Sequence, residues 1–291
     1  MECGVGLKHQ TVTNRRAFRM SKTKERLDVL ITSLGLFSSR EAAKRAIMAG
    51  IVLVNDEVVD KAGMKVDVTS AIRIKGEVMP YVSRGGYKLE RAKVDFGIDL
   101  AGKVVIDIGA STGGFTDCAL QNGAVLVYAV DVGYNQLAWK LRQDKRVISI
   151  ERTNFRYMVL DDLKHGAPSF ACMDVSFISI KLLLPVLKDL LTKDAEIVAL
   201  IKPQFEAGID SVGKKGVVRD EAVHVRVIRE IVAFIRELEL VPLGLTYSPI
   251  KGKEGNIEFL IHIGSSTAAK EVTDLKIEDV VREAHSELRG L

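Results

Sequence analysis

Apolar positions over residues 21–80 recur first at helical spacing and then in short, strand-like runs. In KERLDVLITSLG the apolar residues share one helix face and a glycine can end the helix, while Ser38 or Ser39 can cap a second helix. The run IVLVN, an Asn55-Asp56 turn and EVV predict a hairpin, and AIRIKG predicts a further strand. This segment is therefore expected to form a small α+β domain.

The pattern changes beyond residue 80, where apolar runs of strand length alternate with stretches of helical spacing. Predicted strands are KVVIDIG, VLVYAVDVG, VISIE, FACMDVSF, AEIVALIKP, PLGLTYSPI and IEFLIHIG. Helices are predicted from Gly113 and over 135–142, 182–191 and 220–238. Such alternation is typical of an α/β fold with a mostly parallel sheet, which binds ligands at the carboxyl ends of its strands.

A proline and two glycines mark the boundary between these patterns. Pro80 interrupts the strand pattern, and SRGGYKLERAK then offers a flexible joint before an amphipathic helix that contains Lys88. We therefore predict a disordered extension over residues 1–20, preceding a start at Met20, and a small domain over 21–80. A large α/β domain over 81–264 and a tail or helix over 265–291 are predicted to follow.

Charge and composition narrow the class of protein. Residues 1–94 hold 18 Lys and Arg against 10 Asp and Glu, which suggests that the front of the chain meets a polyanion, although a solvated basic surface explains it equally well. The cysteines Cys3, Cys118 and Cys172 form no CxxC pair and favour a reducing cytoplasm over a disulfide framework. No apolar run is long enough for a membrane span, so no stable membrane partner is expected.

The order of RLD, an SRE cap, a glycine and a VN turn over residues 24–75 resembles the RNA-binding module named after ribosomal protein S-four, also called the alpha-L motif. That resemblance implies recognition of folded RNA through phosphates and 2′-hydroxyls. Basic residues on the second helix and in the loop EAGIDSVGKKGVVRD can neutralise phosphates; alternatively, they are solvated surface charges. The predicted RNA-binding residues are Arg26, Arg40, Lys44, Arg45, Arg84, Lys214, Lys215 and Arg219.

A glycine-bearing turn after the first strand of the large domain predicts a nucleotide-type pocket. VVIDIGASTGGFTD delivers Asp107 and Gly109 to the end of that strand, and its turn leads into a helix. Its glycines, spaced G-x-x-x-G-G, lack the G-x-G-x-x-G fingerprint of dinucleotide sites, while Asp131 after the next strand can accept both hydroxyls of an adenosine ribose. Because Asp107 is placed to meet an amino group, these features favour S-adenosylmethionine over NAD.

The order of SRGGYKL, DIGASTGGFTD, VDVG, DVSFIS, LIKPQFE and EGNIEFL resembles the TlyA family, whose members are known as haemolysins or as rRNA 2′-O-methyltransferases. The resemblance covers residues 21–264 and implies a Rossmann-like catalytic domain similar to FtsJ-type ribose methyltransferases. It also implies methylation of a ribose, at cytidine, in ribosomal RNA or ribosomal subunits. By that resemblance the cofactor pocket contains Asp107, Gly109, Ser111, Gly113, Gly114, Phe115, Asp131 and Asn154.

Four charged residues form the candidate catalytic set. Lys202 and Asp174 each end an apolar strand, Lys88 opens the domain's first helix, and Glu258 lies between Ile257 and Phe259 in the predicted last strand. Alternatively, Lys202 merely emerges from a strand end, Asp174 caps a helix, and Glu258 faces solvent by strand alternation. FtsJ-like enzymes use a Lys-Asp-Lys-Glu tetrad, and these four residues match its positions in order. The resemblance implies that Lys202 takes or steers the hydroxyl proton.

Three other classes of protein remain as alternatives. A membrane-active haemolysin would need an apolar amphipathic or spanning segment, and none stands out in the sequence. A non-catalytic RNA-binding assembly factor would not need the cofactor and tetrad positions. A dehydrogenase is opposed by the glycine spacing. No metal is expected, because the predicted chemistry uses an already activated methyl donor.

Overall fold

The computed structural model describes residues 11–12, 24–37, 39–75, 79–213, 215–252, 254–265 and 276–290. The chain divides into two units, an N-terminal unit over Met1–Pro80 and a C-terminal unit over Tyr81–Leu291. Within the described ranges, no helix combines the length and the apolar character that crossing a bilayer requires.

The N-terminal unit packs two short helices against small antiparallel sheets. Its helices are α1 (Leu27–Ser33) and α2 (Arg40–Met48). Its strands are β1 (Thr11–Val12), β2 (Lys24–Arg26), β3 (Val52–Val54), β4 (Glu57–Val58), β5 (Lys65–Asp67) and β6 (Ile72–Ile74). One sheet has the order β1-β6-β3-β4, and β2 pairs with β5. The predicted α+β character, both helices and the β3-β4 hairpin are confirmed.

Two details of this unit differ from the sequence expectation. Strands β2 and β5 were not predicted, because KER and KVD are too short and too charged to show strand alternation. The expected disordered extension over residues 1–20 includes Thr11–Val12, whose backbone pairs with Ile72 and Arg73 of β6. The other residues of that predicted extension lie outside the described ranges. Of the two candidate caps for α2, Ser39 accepts a hydrogen bond from the Ala42 amide, and Ser38 is outside the described ranges.

The C-terminal unit contains a seven-stranded sheet in the order β12-β13-β11-β10-β7-β8-β9. The strands are β7 (Val104–Ile108), β8 (Leu126–Val130), β9 (Val147–Ile150), β10 (Phe170–Met173), β11 (Glu196–Ile201), β12 (Val241–Tyr247) and β13 (Phe259–Gly264). The five strands from β11 to β9 are mutually parallel, and β13 runs antiparallel between β11 and β12. The predicted α/β, Rossmann-like class is confirmed.

Helices cover both faces of this sheet. They are α3 (Gly85–Phe96), α4 (Gly114–Gln121), α5 (Trp139–Arg142), α6 (Leu184–Leu190), α7 (Pro203–Glu206), α8 (Glu221–Glu237) and α9 (Ile277–Glu287). Alternate residues of each strand enter different cores: Ile106 and Ile108 of β7 pack in the core that includes α6, α8 and α9, whereas Val105 packs in the core that includes α3 and α4. Burial on both faces explains why the central strands are apolar throughout.

Three elements of this unit differ in extent from the expectation. The helix predicted over 135–142 is restricted to α5. Glu258 was expected inside the last strand but directly precedes β13, because ladder pairing with β11 and β12 begins at Phe259. The predicted tail or helix over 265–291 contains α9, which buries Val281 and Ala284 in the core shared with α8.

Candidate active site

Three parallel strands deliver the candidate chemistry to one edge of the sheet. Asp107 lies in β7, Asp174 directly follows β10, and Lys202 directly follows β11. The register pairs Met173 with both Ile108 and Ala199, so these strand ends lie side by side. Because the carboxyl ends of parallel neighbours meet at one edge, residues far apart in sequence become neighbours there.

The four predicted tetrad side chains form one continuous chain of ion pairs. Lys88 Nζ lies 2.7 Å from Glu258 Oε2 and 2.9 Å from Asp174 Oδ2. Lys202 Nζ lies 2.5 Å from Asp174 Oδ1 and donates to Ser176 Oγ at 3.2 Å. The order of contacts is therefore Glu258, Lys88, Asp174, Lys202, with Asp174 bridging the two lysines.

Because these side chains have little contact with solvent, their charged forms need the ion pairs for stability. Lys88 and Lys202 are each 7% exposed and Glu258 is 3% exposed, so Glu258 does not face solvent. Burial alone would lower the pKa of Lys88, but the Asp174 and Glu258 carboxylates raise it above its usual value. Burial alone would raise the pKa of Asp174, but the two ammonium groups lower it. Lys88 and Asp174 therefore both carry their charges at neutral pH.

The turn after β7 brings backbone into contact with the segment that carries Asp174. Gly109 has a φ of +81°, and a Cβ there would lie 2.6 Å from the carbonyl oxygen of Asp174. At Gly114, the first residue of α4, a Cβ would lie 2.4 Å from Ser83 Oγ and 2.8 Å from the Gly86 amide nitrogen. Both positions exclude any side chain, which explains the glycines of the predicted cofactor loop.

Replacing Gly109 by alanine is expected to destabilise the C-terminal unit by about 1–3 kcal/mol and to weaken binding of the expected cofactor, S-adenosylmethionine. The left-handed backbone and the collision with Asp174 both oppose a Cβ. Gly102→Ala is the matched control, because Gly102 also has a positive φ but no atom within 4 Å of the added Cβ. Thermal unfolding and calorimetry check both variants; unchanged cofactor affinity in Gly109→Ala would contradict this role of the loop.

Asp107 has a free acceptor at the base of the cleft. It is 1% exposed, and its Oδ2 accepts hydrogen bonds from the amide and the hydroxyl of Thr116 at 2.9 and 2.7 Å. Its Oδ1 has no partner among the described residues. Burial raises the pKa of Asp107 to about 7, despite the Thr116 hydrogen bonds that lower it. A buried carboxylate with one unpaired oxygen suits a cationic amino group.

Asp131 and Asn154 border a second hollow beside the glycine turn. The Asp131 oxygens accept hydrogen bonds from the amides of Ser111 and Gly133, each at 2.7 Å. Asn154 caps a short 3-10 helix by accepting from the Arg156 amide at 3.2 Å. This hollow of about 360 Å³ adjoins a larger cleft of about 680 Å³, and residues such as Gly109 and Ser111 line both.

Most predicted catalytic and cofactor residues line these two spaces. The larger cleft is lined by Lys88, Asp107, Gly109, Ser111, Gly114, Phe115, Asp174, Lys202 and Glu258, and the hollow by Asp131 and Asn154. Gly113 lines neither space, because its Cβ position faces the side chains of Leu141 and Leu137 in the core. Its left-handed backbone instead forms the N-cap of α4.

Several residues of the cleft were not found from the sequence, among them Ser176, Gly252 and Phe177. Ser176 Oγ accepts a hydrogen bond from Lys202. A Cβ on Gly252 would lie 2.4 Å from Glu258 Oε1, so the Gly252 backbone packs closely against the Glu258 carboxylate. Phe177 is 90% exposed, has a φ of +64°, and lies 5.2 Å from the ring of Phe205. In DVSF an aromatic residue lies three positions after the strand end at Asp174, and this feature of the sequence could have indicated an exposed ring.

The predicted RNA-binding residues fall into different surroundings. Arg26 and Arg40 both bind Asp28, which is fully buried and whose pKa is lowered to about 2, chiefly by its hydrogen bond with Arg26. Lys44 pairs with Glu41, 3.1 Å away.

Arg45 is exposed and has no ion pair within the described part of the chain. Arg84 lines the cleft, and Lys215 and Arg219 are exposed on the loop before α8. Lys214 lies outside the described residues. Across the described ranges, no three His, Cys, Asp or Glu side chains are grouped as metal ligands would be.

Two family models match the chain. The FtsJ-like methyltransferase model matches residues 81–265, and the S4 domain model matches residues 25–72. Each match falls within one of the two units of the structure.

Full-length relatives and a solved structure are also similar. The chain is 54% identical to YqxC of Bacillus subtilis, named as a candidate rRNA methyltransferase, over 93% of this chain and 97% of the relative. It is 38% identical to the 16S/23S rRNA (cytidine-2′-O)-methyltransferase TlyA of Mycobacterium tuberculosis, over 91% of this chain and 98% of the relative. A solved structure of a candidate hemolysin from Streptococcus thermophilus is 50% identical with a TM-score of 0.73, covering 93% of this chain and 98% of that one.

Proposed function

Because this chain belongs to the FtsJ-like methyltransferase family and to the TlyA group within it, we propose that it methylates the ribose 2′-hydroxyl of a cytidine in ribosomal RNA. The main structural support is the chain of contacts from Glu258 through Lys88 and Asp174 to Lys202, beside the glycine turn. A packed core gives no reason to bury three charged groups around the half-buried Asp174 at one sheet edge, whereas a proton-transfer site does.

The cofactor of this proposal is S-adenosylmethionine. When bound, it would supply a methyl group already activated on a sulfonium sulfur. The unpaired Oδ1 of Asp107 would accept a hydrogen bond from the amino group of the cofactor's amino-acid part. Asp131 and Asn154 would hold the adenosine part. The residues present fit this group, because Asp107 lines the cleft, its buried Oδ1 has no hydrogen-bond partner among the described residues, and a carboxylate suits a cation.

Lys202 is the side chain to which we assign removal of the hydroxyl proton. For Nζ to take that proton as the oxygen is methylated, Lys202 must first give up the ammonium proton of its ion pair with Asp174. The Lys88 ammonium lies between two carboxylates that raise its pKa, so it remains charged and is suited to hold the ribose oxygens. Lys202 contacts one carboxylate and a hydroxyl. In this scheme Asp174 orients Lys202, and Glu258 holds Lys88 in place.

The N-terminal unit would hold the RNA, as its match to the S4 domain model supports. Arg45, Lys44 and the exposed faces of Arg26 and Arg40 would neutralise phosphates. The exposed ring of Phe177 at the cleft would contact the target nucleotide. Ribosomal subunits are the natural partners in this scheme, and the cytoplasm is the compartment that contains them.

Arg45→Ala is expected to weaken RNA binding without changing the unfolding of the N-terminal unit. Arg45 is exposed and unpaired within the described residues, so its loss removes a phosphate contact and leaves the Asp28 ion pairs intact. The slope of log affinity against log salt should fall by about one. Arg282→Ala, which removes an exposed arginine of α9, is the matched control. Equal salt slopes in Arg45→Ala and wild type would contradict this contact.

The proposed function is tested with purified protein, methyl-labelled S-adenosylmethionine and isolated ribosomal subunits. The RNA is digested to nucleosides, and mass spectrometry identifies the labelled one; we expect 2′-O-methylcytidine. Absence of label in RNA would contradict the enzyme and favour an RNA-binding assembly factor. Dye release from protein-treated lipid vesicles, without label in RNA, would favour a membrane-active function.

A further inference from the structure

We propose that Glu206 is a positioning residue for methyl transfer, which holds the segment carrying Asp174 and Phe177 against the strand end that carries Lys202. This inference rests on the proposed function. Glu206 is the last residue of α7, four positions after Lys202. It does not contact substrate in this scheme, and it acts through the backbone on which the reacting groups lie.

Glu206 accepts two hydrogen bonds from the other segment. Its Oε2 accepts from Ser179 Oγ at 2.6 Å, and its Oε1 accepts from the Ile180 amide at 2.9 Å. The donors lie 27 and 26 positions earlier in the sequence, so these contacts are tertiary rather than a local helix cap. Both carboxylate oxygens thus bind one short stretch of the other segment, one through a side-chain hydroxyl and one through a backbone amide.

These bonds complete a row of contacts between two segments, 174–180 and 202–206. Lys202 contacts Asp174 and Ser176 at one end of the row. The rings of Phe205 and Phe177 lie 5.2 Å apart in the middle. Glu206 binds Ser179 and Ile180 at the other end. The two segments are therefore paired in order along their length, by side-chain contacts and by the Ile180 amide.

Such a row of contacts is needed because residues 175–180 lie outside the sheet. The ladder of β10 ends at Met173, and the Asp174 amide makes the last bond to the neighbouring strand, to the Ile108 carbonyl at 3.0 Å. Phe177 then adopts a φ of +64°, a conformation that costs a bulky residue free energy and persists only when its surroundings hold it. Glu206 fixes the far end of this bend, so its loss lets the bend relax and moves Asp174 relative to Lys202.

Glu206→Ala tests the proposal in steady-state methyl transfer. We expect kcat to fall by about tenfold to a hundredfold, because small misplacements of reacting groups cost rates of this order. The KM for RNA and the affinity for S-adenosylmethionine should change by less than kcat does, and the stoichiometry of cofactor binding should stay at its wild-type value. Glu206→Gln should recover most of the rate, because its amide can accept from Ile180 and donate to Ser179. Hydrogen exchange should accelerate over residues 175–180 in the alanine variant.

Asp162→Ala is the matched control. Asp162 accepts a hydrogen bond from the Val159 amide at 3.0 Å and so also caps a 3-10 turn, but it does not line the cleft. Equal loss of rate in both alanine variants, wild-type kcat in Glu206→Ala, or failure of glutamine to rescue would overturn the positioning role. Unchanged exchange at Ile180 would overturn it without reference to activity. By contrast, a wild-type protein that leaves ribosomal RNA unmethylated would contradict the proposed function itself.

Discussion

Lys202→Ala is expected to lower kcat for RNA methylation by about 10²- to 10⁴-fold, the contribution of a well-placed general base. The variant should bind S-adenosylmethionine with nearly unchanged affinity in calorimetry. Its fold should persist, because Asp174 keeps its ion pair with Lys88 after Lys202 is removed. The loss therefore isolates proton removal from cofactor binding.

Two further variants test whether the loss of activity comes from losing a proton acceptor at residue 202, and not from losing a positive charge there or an ion-paired lysine in general. Lys202→Arg keeps a cation that does not lose its proton in proteins, so it should be as inactive as the alanine variant. Lys103→Ala removes a lysine that pairs with Glu196 at 2.6 Å, at the opposite end of β11, and should keep wild-type kcat. Full activity in Lys202→Ala, or restored activity in Lys202→Arg, would refute the assignment of the base.

Asp107→Asn is expected to weaken S-adenosylmethionine binding by about tenfold to a hundredfold, the usual effect of losing a hydrogen bond to a charged group. In the wild type, affinity should rise as the pH increases through about 7, because burial raises the pKa of Asp107 to about 7 and the ionised form binds a cation. The asparagine variant should lose this pH dependence. Calorimetric titrations at several pH values measure both effects.

The same raised pKa predicts the pH dependence of stability without cofactor. The unfolded chain releases the Asp107 proton at a lower pH than the folded chain does. The contribution of protonated Asp107 to the stability of the folded chain is therefore fully present below the unfolded pKa of about 4. It is lost as the pH rises through the folded pKa of about 7. Asp117→Asn is the matched control, since Asp117 is a buried carboxylate of α4 that binds the Val82 amide and Lys140 outside the cleft. Wild-type affinity in Asp107→Asn at every pH would contradict the cofactor role.

The positions of Asp174 and Lys202 could be predicted because each follows an apolar run. Parallel strands place such ends at one edge of the sheet, so no knowledge of side-chain contacts was needed. The start of the last strand could not be predicted in the same way. Alternation does not reveal where ladder pairing begins. Glu258 was therefore predicted to lie inside the last strand, whereas it directly precedes β13.

Contacts between distant segments explain the remaining differences. No sequence feature indicates that Asp28 is buried between Arg26 and Arg40. The contact of Asp28 with Arg40 forms only when α1 packs against α2. Gly113 shares a motif with Gly109, but its Cβ position faces the core. The pairing of Glu206 with Ser179 joins residues that follow different strands. Local propensity carries no information on such pairs.

Alkaline hydrolysis of the RNA product tests directly whether the methyl group lies on a ribose, because a methyl group on the 2′-oxygen blocks cleavage of the adjacent phosphodiester. Ribosomal RNA is treated with wild-type protein and S-adenosylmethionine, hydrolysed, and resolved as a ladder beside RNA treated with Lys202→Ala. We expect one missing band, after a cytidine, in the wild-type ladder and a complete ladder for the variant. Methyl label in RNA whose wild-type ladder is complete would place the methyl group on a base and contradict 2′-O-methylation.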